Sequence, residues 1–400
     1  MPRSLRRNNI KPELWTLNAF EPCLTTWSLL KGKRVVKLSL GSAILMVSLE
    51  IARVSRLVGP NMERKLFLTA RQTNLVLEVL MVIVIATGVI SWLVPLSSAR
   101  ALTLVHGFIG LLIVLIAPFK VRGSVRTGWR RKQRSRLPSA AFGVVVVGAL
   151  ITGIIHTTGL LFKTGAGGPL WIHVLLAAIS VALLIQHVYT RPVRPKPTDL
   201  DRRGLITTTV AGGLAAAALG GQEVILNVTG ARGADREGTG SIETASFDTA
   251  NLPRVSWLND RSPSPTDPET WRLRIGGEAV DVTELATRTE PIVARIDCTG
   301  GWTSVQQWDC VSLADLVTPT PTARSVRVRS ATGYERLYPI EALDELYLAT
   351  GYSGEPLRAG HGAPVRLVAP NRRGPNWVKW VSEIEVTERR PWLQFPVPLA

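Results

Sequence analysis

Residues 295–302 of this 400-residue chain read Arg-Ile-Asp-Cys-Thr-Gly-Gly-Trp. The apolar run that leads into them, from Pro291 to Ile296, is typical of a strand, and Thr-Gly-Gly is typical of a turn. Cys298 is therefore predicted at a strand end, where the turn presents its thiol. A thiolate there, with Arg295 nearby, is suited to hold a metal ion.

A second stretch supplies positive charge. A short strand is predicted from Val365 to Val368, and the cations around it are His361, Arg366, Arg372, Arg373 and Lys379. Guanidinium and ammonium groups suit a phosphorylated, anionic ligand. These residue types by themselves indicate an anion site near a cysteine.

Together the two stretches resemble the molybdopterin-binding domain of the sulfite oxidase family, over roughly residues 271–396. The family's cysteine motif is matched by Cys298-Thr-Gly-Gly and by residues 308–313, Trp-Asp-Cys-Val-Ser-Leu. Its cofactor-binding segment is matched by His361-Gly-x-Pro-x-Arg366, then Pro370, Gly374 and Val378-Lys-Trp380.

The resemblance implies an oxidoreductase domain with a molybdenum-molybdopterin cofactor. It implies that Cys298 supplies a thiolate to molybdenum. It also implies that the pterin phosphate is contacted by His361, Arg366 and Lys379. Tyr334 has the place of a substrate-pocket residue in the family's order, and the other interpretation of it is a turn aromatic. Cys310 is interpreted as a small buried hydrophobic residue.

The sequence departs from the sulfite-oxidising members directly after the cysteine motif. Those members continue with Asn and Arg, whereas this chain continues with Gly301-Trp302-Thr303. The family's additional C-terminal dimerisation domain also has no counterpart before Ala400. We expect cofactor binding to survive these differences, but sulfite does not follow as the substrate. The alternative function is a membrane-tethered binding or assembly protein that keeps the fold without turnover.

Composition divides the chain into two unlike halves. Residues 1–226 contain 28 Lys and Arg against 8 Asp and Glu, while residues 227–400 contain 19 against 22, which together give the net charge of +17. Hydrophobic residues make up 46% of the chain. The basic half of the chain is thus also the apolar half. Its positive charge is interpreted as a signal of membrane topology, and it does not predict a nucleic-acid partner. Three cysteines are too few for a disulfide framework.

Apolar runs predict a helical membrane bundle of about five spans, followed by an α+β molybdopterin-binding domain. The spans are expected at 74–94, 101–119, 140–162, 170–189 and 204–226. The predicted domain boundaries are a basic cytoplasmic region at 1–65 with a possible interfacial helix near 38–49, a bundle at 66–226, a flexible tether at 227–255, and the oxidoreductase domain at 256–400.

Loop charges predict the orientation of the bundle. The connection 120–138 contains eight Lys and Arg and no acidic residue. The positive-inside rule places it, and the basic connection 190–203, in the cytoplasm. Five spans then put the C-terminal domain outside a bacterial cytoplasmic membrane. Arg202-Arg203 before a weakly apolar helix resembles a twin-arginine export signal, and the other interpretation is an ordinary cytoplasmic flank.

Four of the five histidines lie in predicted spans: His106, His156, His173 and His187. Such residues at membrane depth are functional candidates. His173 and His187 recur on one helix face, which resembles the fourth helix of di-haem cytochrome b subunits. His106 and His173 are predicted near the outer side and are candidate ligands of one haem b, with His156 as a substitute. The alternatives are two haems, or none, with the histidines hydrogen-bonded inside the bundle. The remaining partners expected are a small-molecule substrate and an unidentified electron donor or acceptor.

Overall fold

The structure is a computed structural model that describes residues 68–120, 130, 136–165, 167–199, 201–254, 262–264, 266–392 and 394. All of them belong to the second of two compact units, Arg64–Ala400. The predicted basic N-terminal region, its interfacial helix and most of the connection 120–138 lie outside the described residues.

Five long helices form the N-terminal part of the described chain. They are α1 (Ala70–Ile90), α2 (Leu96–Lys120), α3 (Arg136–Thr158), α4 (Pro169–Thr190) and α5 (Arg202–Thr229). Each is long and apolar enough to cross a membrane. Among the described residues, five candidate spans thus match the five that the sequence predicts. Helix α1 packs on α2, α3 on α4, and α5 on α2.

The start of α1 is tied to the start of α5 by polar side chains. Thr69 and Gln72 form a capping box at the first turn of α1. The Gln72 amide also donates to Asp201 Oδ1 at 2.7 Å, and Asp201 is the N-cap of α5. The side chains of Thr69 and Asp201 supply acceptors for backbone N–H groups that would otherwise be unsatisfied at the two helix starts. Helices α1 and α5 therefore begin at the same end of the bundle.

Two sheets build the C-terminal domain. In the first, β5 (Trp302–Ser312) pairs antiparallel with β4 (Glu290–Cys298) and β8 (Tyr347–Tyr352), and parallel with β1 (Ile242–Glu243). Strand β8 also pairs with β9 (Glu355–Pro356) and β10 (Arg366–Val368). The second sheet has the order β3-β2-β11-β6-β7, with β2 Leu273–Ile275, β3 Glu278–Val280, β6 Ser325–Ser330, β7 Glu335–Pro339 and β11 Val381–Thr387.

One apolar core joins the two sheets and the short helix α6 (Val282–Thr287). Trp308 of β5 and Leu348 of β8 are fully buried in it. The bundle contributes to the same core through Phe162, in the loop between α3 and α4. The predicted architecture of a helical bundle followed by an α+β domain is thus confirmed, and so is the strand predicted before Cys298. The alternating residues 271–275 and 325–330 also predict strands, and β2 and β6 confirm them.

The apolar residues of the segment 340–350, among them Leu343, Leu346 and Leu348, predict a helix from the sequence, and this prediction is wrong. Residues 340–350 form a 3-10 turn, Ile340–Glu345, and then enter strand β8. The apolar residues of this segment are suited to a strand, because β8 lies between β5 and β10 in the sheet and pairs with both. Each residue of β8 is buried or half-buried, so the strand does not show simple alternation of buried and exposed residues.

The segment 227–255 was expected to be a flexible tether, and its described part is packed against the domain. Helix α5 runs on to Thr229 and ends at Gly230 with φ 60°, a left-handed C-cap. Strand β1 then pairs with the first residues of β5, and Ile242 is fully buried. Pairing and burial supply partners that the local composition does not reveal.

Candidate functional site

Cys298 is the last residue of β4, and the turn to β5 follows directly. It pairs with Trp302 across the hairpin, and Gly301 holds φ 86°, a conformation that favours glycine. The backbone N–H of Gly300 donates to Cys298 Sγ at 3.3 Å. A Cβ at Gly374 would lie 3.2 Å from Cys298 Cα, so the loop that follows β10 closes over the cysteine. The predicted position of the thiol at a strand end is confirmed.

Burial raises the pKa of the Cys298 thiol to about 11. The Gly300 N–H and the cations Lys379 and Arg373 act in the opposite direction. Without a bound cation the group is therefore a thiol at neutral pH. Metal ligation replaces that proton, because cysteine binds metals as thiolate.

The predicted anion-binding residues are brought together by one turn. A Cβ at Gly362 would lie 2.9 Å from Arg366 Cβ and 3.2 Å from Lys379 Cβ. The Arg366 guanidinium is buried, donates to the His361 carbonyl at 2.8 Å and lies over the Trp308 ring at 5.1 Å. Arg366 and Lys379 therefore start side by side, with the Arg366 guanidinium in the domain core and the half-buried Lys379 ammonium 5.1 Å from the Trp380 ring centroid.

His361 is held as a neutral imidazole. Its Nε2–H donates to the Leu252 carbonyl at 3.2 Å, and its Nδ1 accepts from the Tyr352 hydroxyl at 3.3 Å. Burial lowers the pKa of His361 to about 4, and the charges of Arg366 and Lys379 also lower it. Both ring nitrogens are thus engaged within the protein, and direct contact with a phosphate requires the exchange of one partner. Sequence reasoning missed Leu252 and Tyr352.

A buried carboxylate lies next to the cysteine. Asp297 accepts hydrogen bonds from Thr239 at 2.6 Å and Ser241 at 2.7 Å, and its Oδ1 lies 3.4 Å from Arg373 Nε. Both charged side chains are 3% exposed. Arg373 was among the predicted cations, but its partner is Asp297. Nothing in the sequence pattern singled out Thr239 or Ser241.

Tyr334 lies on the other side of the loop that covers Cys298. Its hydroxyl donates to the Pro375 carbonyl at 2.6 Å, and Pro375 follows the Gly374 that abuts the cysteine. The structure therefore brings Tyr334 and Cys298 to the same loop. The hydroxyl holds the loop in this arrangement.

The residues present fit a molybdopterin cofactor. Among the described residues, no three His, Cys, Asp or Glu side chains cluster as a metal site. A metal at Cys298 would therefore take its other ligands from its own cofactor. Two buried donors, Trp302 Nε1 and Arg372 Nε, have no hydrogen-bond partner within the described chain. A buried thiol with cations around it and unused donors matches an anionic cofactor bound through sulfur.

The structure also brings together His106 and His173. Their ring centroids are 5.9 Å apart, with an interplanar angle of 81°. Both Nδ1 atoms donate to backbone carbonyls of neighbouring helices, at 2.8 Å to Val84 and 2.7 Å to Ala149. Metal-bound histidines commonly use one ring nitrogen in this way, which leaves Nε2 as the ligating atom.

Glycines make room for both rings. A Cβ at Gly88 would lie 3.0 Å from His106 Cε1, and one at Gly153 would lie 3.2 Å from His173 Nδ1. Larger residues at these helix positions would push the rings away.

The other two bundle histidines lie elsewhere. His156 Nε2–H donates to the Gly240 carbonyl at 3.1 Å, so this histidine contacts the segment that leads into the domain. His187 lies beside Lys120 Nζ at 3.3 Å and the Phe142 ring at 5.7 Å. In the described bundle, neither has another histidine ring beside it, and His106 and His173 are the pair that geometry favours.

Comparison with known protein families identifies the fold of the C-terminal domain. Residues 261–393 match the oxidoreductase molybdopterin binding domain family. The match covers a third of the chain and includes every predicted cofactor residue of the domain. The C-terminal domain therefore has the fold of molybdopterin-binding oxidoreductases.

Curated relatives match the same part of the chain. One is the protein-methionine-sulfoxide reductase catalytic subunit MsrP of Xanthomonas axonopodis pv. citri (strain 306), at 32% identity over 30% of this chain and 46% of that protein. The corresponding subunit of Xanthomonas campestris pv. campestris is 31% identical over the same shares. The chain spans about half the length of these relatives.

A solved structure was also found to be similar. The sulfane dehydrogenase SoxCD from Paracoccus pantotrophus matches 35% of this chain and 46% of its own, at 21% identity and a TM-score of 0.30.

The raised pKa of Cys298 predicts slow, strongly pH-dependent alkylation in the cofactor-free protein. A raised pKa leaves little thiolate at neutral pH, so the rate should rise about tenfold per pH unit from pH 7 to 10. Iodoacetamide labelling followed by mass spectrometry of the Cys298 peptide measures this rate. A rate that levels off as the pH approaches about 10, as for an ordinary exposed thiol with a pKa of about 8.5, would contradict it.

Proposed function

We propose that this chain is a membrane-anchored, molybdopterin-dependent oxidoreductase that transfers an oxygen atom to or from a small-molecule substrate. The observation that carries the proposal is the arrangement of Cys298. Its buried thiol ends a strand, burial raises its pKa to about 11 while Lys379 and Arg373 act in the opposite direction, and the surrounding domain matches a molybdopterin-binding family.

In this proposal, the chain's residues hold the cofactor and exclude water. Cys298 ligates the metal as thiolate, and Arg366 and Lys379 balance the charge of the phosphate. Asp297 and Arg373 fix the turn that presents the thiol, and Tyr334 fixes the covering loop. The cofactor itself supplies the two-electron oxygen-atom chemistry when it is bound. Tyr334 is also the candidate to line the substrate pocket.

A sulfoxide is the substrate class to test first. The curated relatives are named as reductases of protein methionine sulfoxide, and they align with the domain that contains Cys298. Such a reaction converts the sulfoxide to a thioether and water, with two electrons and two protons from a donor. The residues Gly301-Trp302-Thr303 after the cysteine motif differ from those of sulfite-oxidising enzymes and do not favour sulfite.

We further propose that the bundle spans a bacterial cytoplasmic membrane with the C-terminal domain outside. The five candidate spans and the basic connection 120–138 support this orientation. Helices α1 and α5 begin at the same end of the bundle, as an odd number of alternating spans requires.

A b-type haem between His106 and His173 would make the bundle an electron conduit. Both rings are oriented by Nδ1 hydrogen bonds, and both lie against glycines. Haem would supply one-electron transfer, and His106 and His173 would hold it through their Nε2 atoms. An external redox partner would donate or accept electrons.

The second candidate function is a membrane-tethered binding or assembly protein without turnover. The altered residues after Cys298 favour it, because the substrate side of the motif is not retained. Metal analysis of the purified protein separates the two candidates, since molybdenum in stoichiometric amount supports the enzyme and its absence supports the binding protein.

The Cys298→Ser variant should lose methionine-sulfoxide reductase activity while it remains folded. Loss of outer-sphere partners costs about 10–100-fold in metal sites, so loss of a ligand should cost about 100-fold or more. The control is Cys310→Ser, also buried but on the next strand. Activity and molybdenum content are measured for both. If the Cys310 variant were the inactive one, the ligand assignment would be wrong.

The orientation predicts opposite results from two reporter fusions. A reporter that is active only outside the cytoplasm should work after Ala400 and fail within residues 120–138. Activity of both fusions, normalised to protein level, is compared. The reverse pattern would overturn the five-span orientation.

The haem proposal predicts a reducible b-type absorption spectrum for the detergent-purified protein. His173→Ala should remove the spectrum, because one of the two histidines that would hold the haem is lost. His187→Ala is the matched control and should retain most of it, since His187 lies beside Lys120 and Phe142. A haem-free spectrum from protein produced with ample haem would reduce the bundle to an anchor.

A further inference from the structure

The turn that carries Cys298 is in contact with the membrane bundle. A Cβ at Gly301 would lie 2.7 Å from His156 Cε1 in α3 and 2.7 Å from Leu170 Cδ2 in α4. Contact this close leaves no space for any side chain at residue 301. The cysteine turn and the ends of two candidate spans therefore fit together only because residue 301 is glycine.

His156 contacts two segments that meet at this turn. Its ring lies against Gly301, and its Nε2–H donates to the Gly240 carbonyl. Gly240 lies between Thr239 and Ser241, the two residues that donate to Asp297. The buried His156 imidazole thus contacts the turn that follows Cys298. It also contacts the segment whose side chains hydrogen-bond Asp297, the residue before Cys298.

Helix α3 connects this contact to the histidine pair. Gly153 faces the His173 ring, and His156 follows three residues later, about 4.5 Å further along the helix axis and on nearly the same face. Gly301 lies three positions after Cys298. Two packed routes therefore connect His173 with Cys298, one through Gly153 and His156 of α3 and the other through Leu170 of α4.

We propose that His156 is a positioning residue for the cysteine turn. From the bundle it fixes the turn through Gly301 and Gly240, and so sets a constant separation between the His106–His173 pair and Cys298. The consequence for electron transfer rests on the proposed function, whereas the contact itself does not. The bundle then acts as a structural part of the active site as well as an anchor.

The first test measures the accessibility of Cys298 in the full-length, cofactor-free protein. Cys23→Ser and Cys310→Ser leave Cys298 as the only cysteine. In this background His156→Ala should raise the iodoacetamide labelling rate about five- to tenfold, because a buried hydrogen bond and a packed ring are lost. His156→Gln keeps a donor for Gly240 and should restore most of the protection. His187→Ala, at a histidine away from the turn, is the control.

A second pair of variants tests the contact without changing His156. Gly301→Ala and Gly333→Ala impose similar backbone strain, since their φ angles are 86° and 90°. No atom lies within 4 Å of a Cβ at Gly333, so only the Gly301 variant presses on the bundle. Faster labelling of Cys298 in Gly301→Ala than in Gly333→Ala is expected.

Equal labelling rates in the wild-type, His156→Ala and His187→Ala proteins would overturn the inference and leave the proposed function intact. Failure of His156→Gln to restore protection would also overturn it, because the hydrogen-bond donor would then be irrelevant.

In the molybdenum-loaded protein, His156→Ala should alter the electron paramagnetic resonance spectrum of the metal, and His187→Ala should not. A wild-type protein without molybdenum would refute the proposed function, while the labelling result would still decide the role of His156.

Discussion

The arrangement of the site depends on a carboxylate buried beside the cysteine. Asp297 and Arg373 are both almost fully withdrawn from water. Burying such a pair costs free energy unless hydrogen bonds compensate it, and here Thr239 and Ser241 supply hydroxyl donors to the Asp297 carboxylate. Three segments far apart in sequence are thereby held together: the end of strand β4, the loop after β10 and the segment that leaves the bundle.

This polar cluster also sets the electrostatics at the thiol. The Asp297 charge raises the pKa of Cys298, and Arg373 and Lys379 lower it, so the net effect of these neighbours is smaller than that of burial. A cysteine in this environment is protected as a thiol until a cation displaces the proton. The same burial that makes the thiol unreactive excludes water from a metal bound there.

The bundle and the domain form one packed structure in the described residues. The Asn371 carbonyl accepts from the Leu96 N–H at the start of α2, and Glu237 forms ion pairs with Arg100 of α2 and Arg295 of β4. Exposed ion pairs of this kind add little stability individually. They do, however, fix the orientation of the domain against the helices. Together with the contact between Gly301 and His156, they direct the cysteine hairpin towards the helices.

The sequence by itself determined those features that a local pattern of residues encodes. Apolar runs of about 20 residues gave the five spans, the charge asymmetry separated the two halves, and an apolar run before Thr-Gly-Gly gave the strand end at Cys298. Tertiary structure alone decided strand β8, the packing of residues 227–254, the ring partners of His361 and the contact of His156 with the cysteine turn. The physical reason is distance along the chain. Thr239 and Asp297 are 58 positions apart and His156 and Gly240 are 84 apart, so no local periodicity records that these groups satisfy one another.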